Sequence, residues 1–274
     1  MTTTLAYLAN QTDRVRCAVS QEAEALRFGD DAAAWGLGSV QSGELLLRRR
    51  PVERGARLAL QDMVRDLRTG ALLACARGAL DARRPEESVP PFRFRQWLCA
   101  VDGDLAGMSA LRAPLDAALP EFLSLNARGD GGDERVAHLF LAALHAEGRL
   151  DDPEADRDTL ARCARGAIDR LDGLSGARLP VTLIATNGRS VVAAGRGVPL
   201  SWVRRQGVRD VSACVEAEAE PRGGRRLDAD SLRHLRYVMI ASGRDIPGFQ
   251  PLFADDAPAV VVVDRNLDVH VVAS

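Results

Sequence analysis

The chain of 274 residues contains no lysine; all 36 of its basic residues are arginine. That absence excludes a Schiff-base lysine and the lysine of a phosphate-binding P-loop. Cysteine is sparse. Cys17, Cys75, Cys99, Cys163 and Cys214 are scattered, odd in number and without Cys-x-x-Cys spacing. They read as thiols of a reducing compartment and not as a disulfide framework. The four histidines are equally dispersed, so no metal signature forms, and no cofactor motif is found. No apolar run reaches about 18 residues, and the first residues lack the basic and apolar regions of a signal peptide. A net charge of −2 gives no reason to expect nucleic acid or an anionic membrane as partner. The expectation is a soluble, cytoplasmic protein without metal or cofactor.

What is present is apolar and patterned. Hydrophobic residues make up 46% of the chain, ample for a core, and the length suits one large domain or two small ones. The most informative stretch runs from Arg95 to Gly107. Residues 96–101 read as a short buried strand. The strand meets Asp102-Gly103, where Gly can take φ > 0 at no steric cost. A backbone N–H and a short polar side chain then stand together at a strand mouth, as an oxyanion-binding pair would. Taken alone, the dipeptide reads as a hairpin turn.

The rest alternates strands and helices. Segments 2–8, 35–40, 44–50 and 72–78 predict strands, with a hairpin turn at Ser42-Gly43. Segments 21–28, 55–67 and 109–119 predict helices, and Gly70 closes the second of these. Segment 81–92 is a charged, Pro-rich loop, and 128–133 is a Gly-rich one. Asp133-Glu134 opens a strong helix with Val136, Leu139, Phe140, Leu141 and Leu144 inward, its acidic first turn suiting the helix dipole. One more helix is expected over 158–171. Strands follow at 181–186, 190–194, 199–204, 211–217, 237–241, 259–263 and 269–272. Asn187-Gly188 and Asn266-Leu267 supply turns, and 218–230 is a polar insertion. There is no internal repeat.

Several segments together resemble the class II (N-terminal nucleophile) glutamine amidotransferases, above all the small stand-alone members such as the amidohydrolase of ergothioneine biosynthesis. Trp97-Leu-Cys-Ala-Val-Asp-Gly103 resembles that family's Trp-Leu-Phe-Ala-His-Asn-Gly strand. Leu5-Ala6-Tyr7 resembles the family's opening strand, and Trp35-Gly36-Leu37-Gly38 its Asp-Gly-Trp-Gly-Ile-Gly motif, with Ala33-Ala34 in place of the Asp-Gly. Arg48-Arg49-Arg50-Pro51 echoes the family too, although an arginine run alone would be a solvated strand edge. Residues 72–78 resemble Ala-His-Val-Arg-x-Ala-Thr, with the Arg retained as Arg77 and Cys75 at the His position. Residues 183–188 and 238–242 resemble segments of the family's second sheet. The likeness spans nearly the whole chain. It implies one domain over residues 1–274, an α+β fold of four layers, αββα, in which two antiparallel sheets face each other.

The resemblance also assigns roles. It puts Thr2 at the nucleophilic Cys, or Thr3 if the register slips by one. Asp102 stands at the oxyanion Asn, with Gly103 keeping its N–H. Arg77 is implied as the grip on a substrate carboxylate, a task suited to a planar bidentate donor. Asp133, or Gly132 in the other register, matches the Asp that holds the substrate amino group. A Thr with a free α-amine is a workable nucleophile–base pair, and Thr2 taken alone is one residue of a Thr-rich strand. Asp102 is harder to reconcile with hydrolysis, because a carboxylate offers acceptors where donors are required. Arg77 could equally form an ion pair with Asp102 or Asp133. Cys75 and Cys99 read as buried strand residues. Two readings follow. One is an amidotransferase-like protein degenerate in glutamine hydrolysis that binds a glutamine-like small molecule, a protein partner or a second copy of itself. The other is an N-terminal-threonine amidohydrolase acting on a glutamine-like or γ-glutamyl amide.

Overall fold

Residues Thr3–Ala9 form strand β1, buried along almost its whole length because a strand lies on each side of it. The computed structural model describes residues 3–26, 28–29, 32–52, 59–78, 86–208, 232–243, 245–252 and 258–272. Among these, the first sheet contains β1, β2 (Ala34–Gln41), β3 (Glu44–Pro51), β4 (Ala71–Arg77), β9 (Leu200–Gln206), β10 (Arg236–Ser242) and β11 (Gln250–Leu252). Its order is β11-β9-β10-β1-β4-β2-β3. The second sheet contains β5 (Phe92–Phe94), β6 (Trp97–Gly103), β7 (Val181–Thr186), β8 (Val191–Arg196), β12 (Ala259–Val263) and β13 (Val269–Val272). Its order is β13-β12-β8-β7-β6-β5. All the strand pairings described are antiparallel.

Period-two alternation divides each central strand between two cores. In β1, Leu5 and Tyr7 pack with α1 (Val15–Leu26) and α2 (Leu60–Met63) on the outer face of the first sheet. Ala6 and Leu8 face the second sheet, meeting Leu73, Leu98, Ala100, Ile184, Ile240 and Val261. On the far side of the second sheet, Trp97, Val101, Leu183 and Val260 pack under α6 (Asp133–Ala146) and α7 (Arg157–Ser175). The result is the four-layer αββα sandwich. Two glycines of the Trp35–Gly38 motif let the layers approach. A Cβ on Gly36 would lie 2.0 Å from the Pro90 carbonyl oxygen, and one on Gly38 would lie 2.6 Å from Leu98 Cδ1.

Several sequence expectations change. Asp102-Gly103 is not a hairpin turn. β6 runs through it, pairing Asp102 with Thr182 and Gly103 with Val181, and the chain turns only at Asp104, which caps α3 (Leu105–Ala110). The single helix expected over 109–119 is two, α3 and α4 (Arg112–Ala118). Pro114 has no N–H for a bond to the Ala110 carbonyl, so a continuous helix would break there, whereas the first turn of a new helix tolerates proline. A short α5 (Glu121–Ser124) follows. The helix expected over 55–67 is one turn among the described residues, with 53–58 outside them. α1 begins six residues before the expected start at 21. Residues 183–188 and 238–242 do not share a sheet: β7 lies in the second and β10 in the first, beside β1. β5 and β11 were not expected. The strand at 211–217 and the insertion at 218–230 lie outside the described residues.

Candidate functional site

At one end of the sandwich the inter-sheet faces turn from apolar to polar. Alternation along β1, β4, β6, β7 and β10 brings Thr4, Cys75, Arg77, Asp102, Thr182 and Ser242 to that end. All six are buried. β1 centres the cluster on the first sheet, its Thr4 in register with Cys75 on one side and Ser242 on the other. Thr2 lies outside the described residues. Thr3 is described, and its alternation follows Leu5 and Tyr7 onto the helix-covered face, away from this cluster. The one-residue slip that would make Thr3 the nucleophile is therefore not supported.

Asp102 is 7% exposed. Its Oδ1 accepts the Gly103 N–H at 2.9 Å, and Ser242 Oγ, from the opposite sheet, donates to Oδ2 at 3.4 Å. Gly103 has φ +129°, and a Cβ there would meet the Pro180 carbonyl oxygen at 2.1 Å. The position demands glycine on both counts. Gly103 N–H therefore points to a carboxylate supplied by its own neighbour.

Arg77 ends β4 at 6% exposed. Its Nη1 donates to the Ser88 carbonyl at 2.5 Å, and its Nη2 pairs with Asp133, itself 3% exposed. Asp133 is placed by the start of α6, where a Cβ on Gly132 would lie 2.0 Å from the Met108 carbonyl oxygen. The Gly-rich loop before it is closed by its own helix. Glu134 accepts the Gly129 N–H at 2.7 Å, and Arg135 donates to the Gly129 and Gly131 carbonyls at 2.9 and 3.0 Å. Burial raises the Glu134 pKa, against the Gly129 N–H and the nearby Arg49, which favour the carboxylate. Burial likewise pushes the Cys75 thiol up to about 12, although the Thr4 hydroxyl and Arg77 favour its thiolate. A thiol so raised is a poor nucleophile.

The structure thus joins Arg77 to Asp133 and Asp102 to Gly103. Of the two carboxylates open to Arg77 in the sequence, it takes Asp133. Residues not singled out from the sequence include Thr182, which the register of β7 sets beside Asp102, and Ser242, which reaches Asp102 only because the two sheets face each other. Arg49 is another. Its neighbours Arg48 and Arg50 are exposed, while Arg49 is partly buried and donates to the Pro91 carbonyl at 2.6 Å. Among the described residues no group of His, Cys, Asp and Glu could hold a metal ion, and no helix is long and apolar enough to cross a membrane.

No family model matches the sequence, and comparison with curated proteins finds no match. Solved structures do match. A glutamine aminotransferase class-II domain protein from Silicibacter pomeroyi aligns over 99% of this chain and 100% of its own, with TM-score 0.58 and 17% identity. A predicted glutamine amidotransferase from Pseudomonas aeruginosa covers 100% and 96%, with TM-score 0.52 and 14% identity. The chain has the class II glutamine amidotransferase fold. The glutamine phosphoribosylpyrophosphate amidotransferase of B. subtilis carries the same fold in a longer chain. There the alignment covers 98% of this chain and 48% of that one, with TM-score 0.50 and 11% identity. At such identities the likeness speaks for the fold, and a class II amidotransferase fold does not bring its reaction with it.

Proposed function

We propose that this chain is a class II glutamine amidotransferase-like protein that has lost efficient glutamine hydrolysis and binds a small amino-acid-like ligand at the polar end of its sandwich. The observation that carries this reading is the 2.9 Å hydrogen bond from Gly103 N–H to Asp102 Oδ1. A hydrolytic site needs that N–H aimed at a developing oxyanion, with a second donor beside it. Here the N–H is taken by a carboxylate, and the carboxylate would itself repel the oxyanion. Losing one such donor costs about 2.7–4 kcal/mol of transition-state stabilisation, and placing a negative charge there costs more. The Arg77–Asp133 pair supports the same reading, since the charges a zwitterionic substrate would meet are already matched to each other. A ligand has to open that pair to bind. A cytoplasmic setting suits a chain whose described cysteines are all buried thiols.

The test is ammonia release from L-glutamine. The native protein should give none above background. The double variant Thr2→Cys with Asp102→Asn restores a stronger nucleophile and a donor, and should recover measurable hydrolysis while Arg77 and Asp133 stay in place. Robust native hydrolysis of glutamine or a γ-glutamyl amide, abolished by Thr2→Ala, would overturn the proposal in favour of an N-terminal-threonine amidohydrolase. Silence in both proteins would turn the search toward a protein partner or a second copy of the chain.

A further inference from the structure

We propose that Gly36 and Arg49 are positioning residues for Arg77, acting through the main chain of Ser88 to Pro91; the inference rests on the reading above that Arg77 faces the ligand. Gly36 of β2 pairs with Arg49 of β3 on one side and Cys75 of β4 on the other, and Ala34 of β2 pairs with Arg77. The inter-sheet face at Gly36 carries no side chain, and the main chain of Pro90 lies directly on it, as the 2.0 Å clash of any added Cβ shows. The segment is then held from both flanks. Arg49 donates to the Pro91 carbonyl at 2.6 Å with its guanidinium 5.8 Å from the centroid of the Phe92 ring. Arg77 donates to the Ser88 carbonyl at 2.5 Å.

Arg77 has few other anchors. Its Nη2 meets Asp133, and its Nε is buried without a partner. The direction of its guanidinium therefore depends on where Ser88 O lies. That depends in turn on the seat at Gly36 and the clamp at Arg49. A guanidinium suits the clamp because it can stack on a ring and aim a donor at one carbonyl together; an ammonium lacks that planar geometry. Of the three consecutive arginines on β3, only the middle one can do this, since the strand's alternation turns its neighbours outward.

The test has a ligand-free arm and a kinetic arm. In the native chain, the Arg77 Nε–H resonance is assigned by its loss in Arg77→Lys, and its exchange with solvent is measured in Arg49→Met. We expect exchange to rise about tenfold or more, with the amides of Ser88 and Val89 exchanging faster and those of β4 and β6 unchanged. In the Thr2→Cys, Asp102→Asn background, Arg49→Met should raise KM for L-glutamine about tenfold with kcat within about threefold. Arg49→Lys should fall between, and the exposed Arg48→Met should change neither. Gly36→Ala should reproduce the KM effect with every charge retained; should it fail to fold, Arg49→Met carries the test. Unchanged Arg77 exchange, or a loss confined to kcat or to global stability, would overturn the proposal. Failure of the double variant to hydrolyse glutamine would count against the functional reading only, and Arg77 exchange would still decide this one.

Discussion

Arg77 and Asp133 come from a strand of the first sheet and a helix beyond the second, 56 residues apart in the chain, and both are buried. Removing one leaves the other charged, desolvated and without its counter-charge. Arg77→Met should therefore cost about 3–5 kcal/mol of stability in denaturant unfolding. Adding Asp133→Leu should return most of it, because a well-packed apolar pair often replaces a buried ion pair at little cost. Strictly additive losses in that double-mutant cycle would mean that the two side chains are not coupled. Glycine gives a second contrast. Gly103 and Gly43 both have positive φ, but a Cβ on Gly43 meets nothing within 4 Å, whereas one on Gly103 meets the Pro180 backbone. Gly43→Ala should cost about 1–2 kcal/mol from backbone strain alone. Gly103→Ala should exceed it clearly, and equal thermal shifts for the two would argue against the close approach. At this scale the sequence names Arg77, Asp102, Gly103 and Asp133 but not their pairing. The start of α6 at Asp133 is marked in the sequence, but the choice of Asp133 over Asp102 is set by how that start is placed against the end of β4, and no local pattern in the chain encodes the placement. Arg49 stands in the sequence only as one of the run Arg48–Pro51 that echoes the family, and its place at the site goes unmarked there for a related reason. An arginine run reads as solvent-facing until the inner face of its strand is known.

Helix α6 is buried on nearly every side through its first nine residues, and it carries one titratable group in an apolar setting. His138 is 2% exposed, with its Nδ1 3.0 Å from the Leu123 carbonyl oxygen. A carbonyl only accepts, so Nδ1 bears the proton of the neutral ring. Burial lowers the His138 pKa to about 4, against that hydrogen bond, which favours the charged form. The unfolded chain takes up a proton near pH 6.5 that the folded chain refuses. Stability contributed by neutral His138 is thus complete above about pH 6.5 and is lost as pH falls toward 4, by up to roughly 3 kcal/mol. His138→Gln should flatten the pH dependence of unfolding across that window; an unchanged slope would place the acid sensitivity elsewhere. Elements with strong patterns were legible in advance. The bounds of β7, β12 and β13 coincide with the expected ones, because runs such as Ala259–Val263 are apolar, β-branched and closed by turn residues. Short elements were not. β5 and β11 have three residues each, too few for any period, and they exist because a neighbouring strand offers an edge. The Asp102-Gly103 turn reading failed for the same kind of reason: pairing with β7 carries the strand past a dipeptide that local preference would bend.

The four layers are tied by contacts that no single layer could keep. Leu73, Leu98, Ile240 and Val261 are buried between the sheets. Arg93 of β5 donates to the Leu45 carbonyl of β3 at 2.9 Å, and Ser242 reaches Asp102 across the same gap. Parting the sheets would expose apolar surface on both and strand these polar groups, and peeling off a helix layer would bare the apolar outer face of the sheet beneath it, so the sandwich should open as one unit. The cysteines are placed to test this. Cys17 lies on α1 outside the first sheet, Cys75 between the sheets, Cys99 on the helix-covered face of the second sheet and Cys163 on α7. All four are buried thiols, and burial raises the pKa of Cys75 to about 12 and of Cys163 to about 11, with that of Cys99 raised as well. A buried, protonated thiol reacts with a disulfide reagent only when its layer opens. Cys214 lies outside the described residues, so the experiment uses a Cys214→Ser background and follows each remaining thiol by mass spectrometry of labelled peptides. With labelling fast relative to reclosing, the four rates should coincide and equal the global unfolding rate. A Cys17 rate well above the other three would show that α1 detaches from the first sheet on its own. The outer layer would then be a separate folding unit, and Arg77 and Asp102, on the far side of that sheet, would be insulated from its motion.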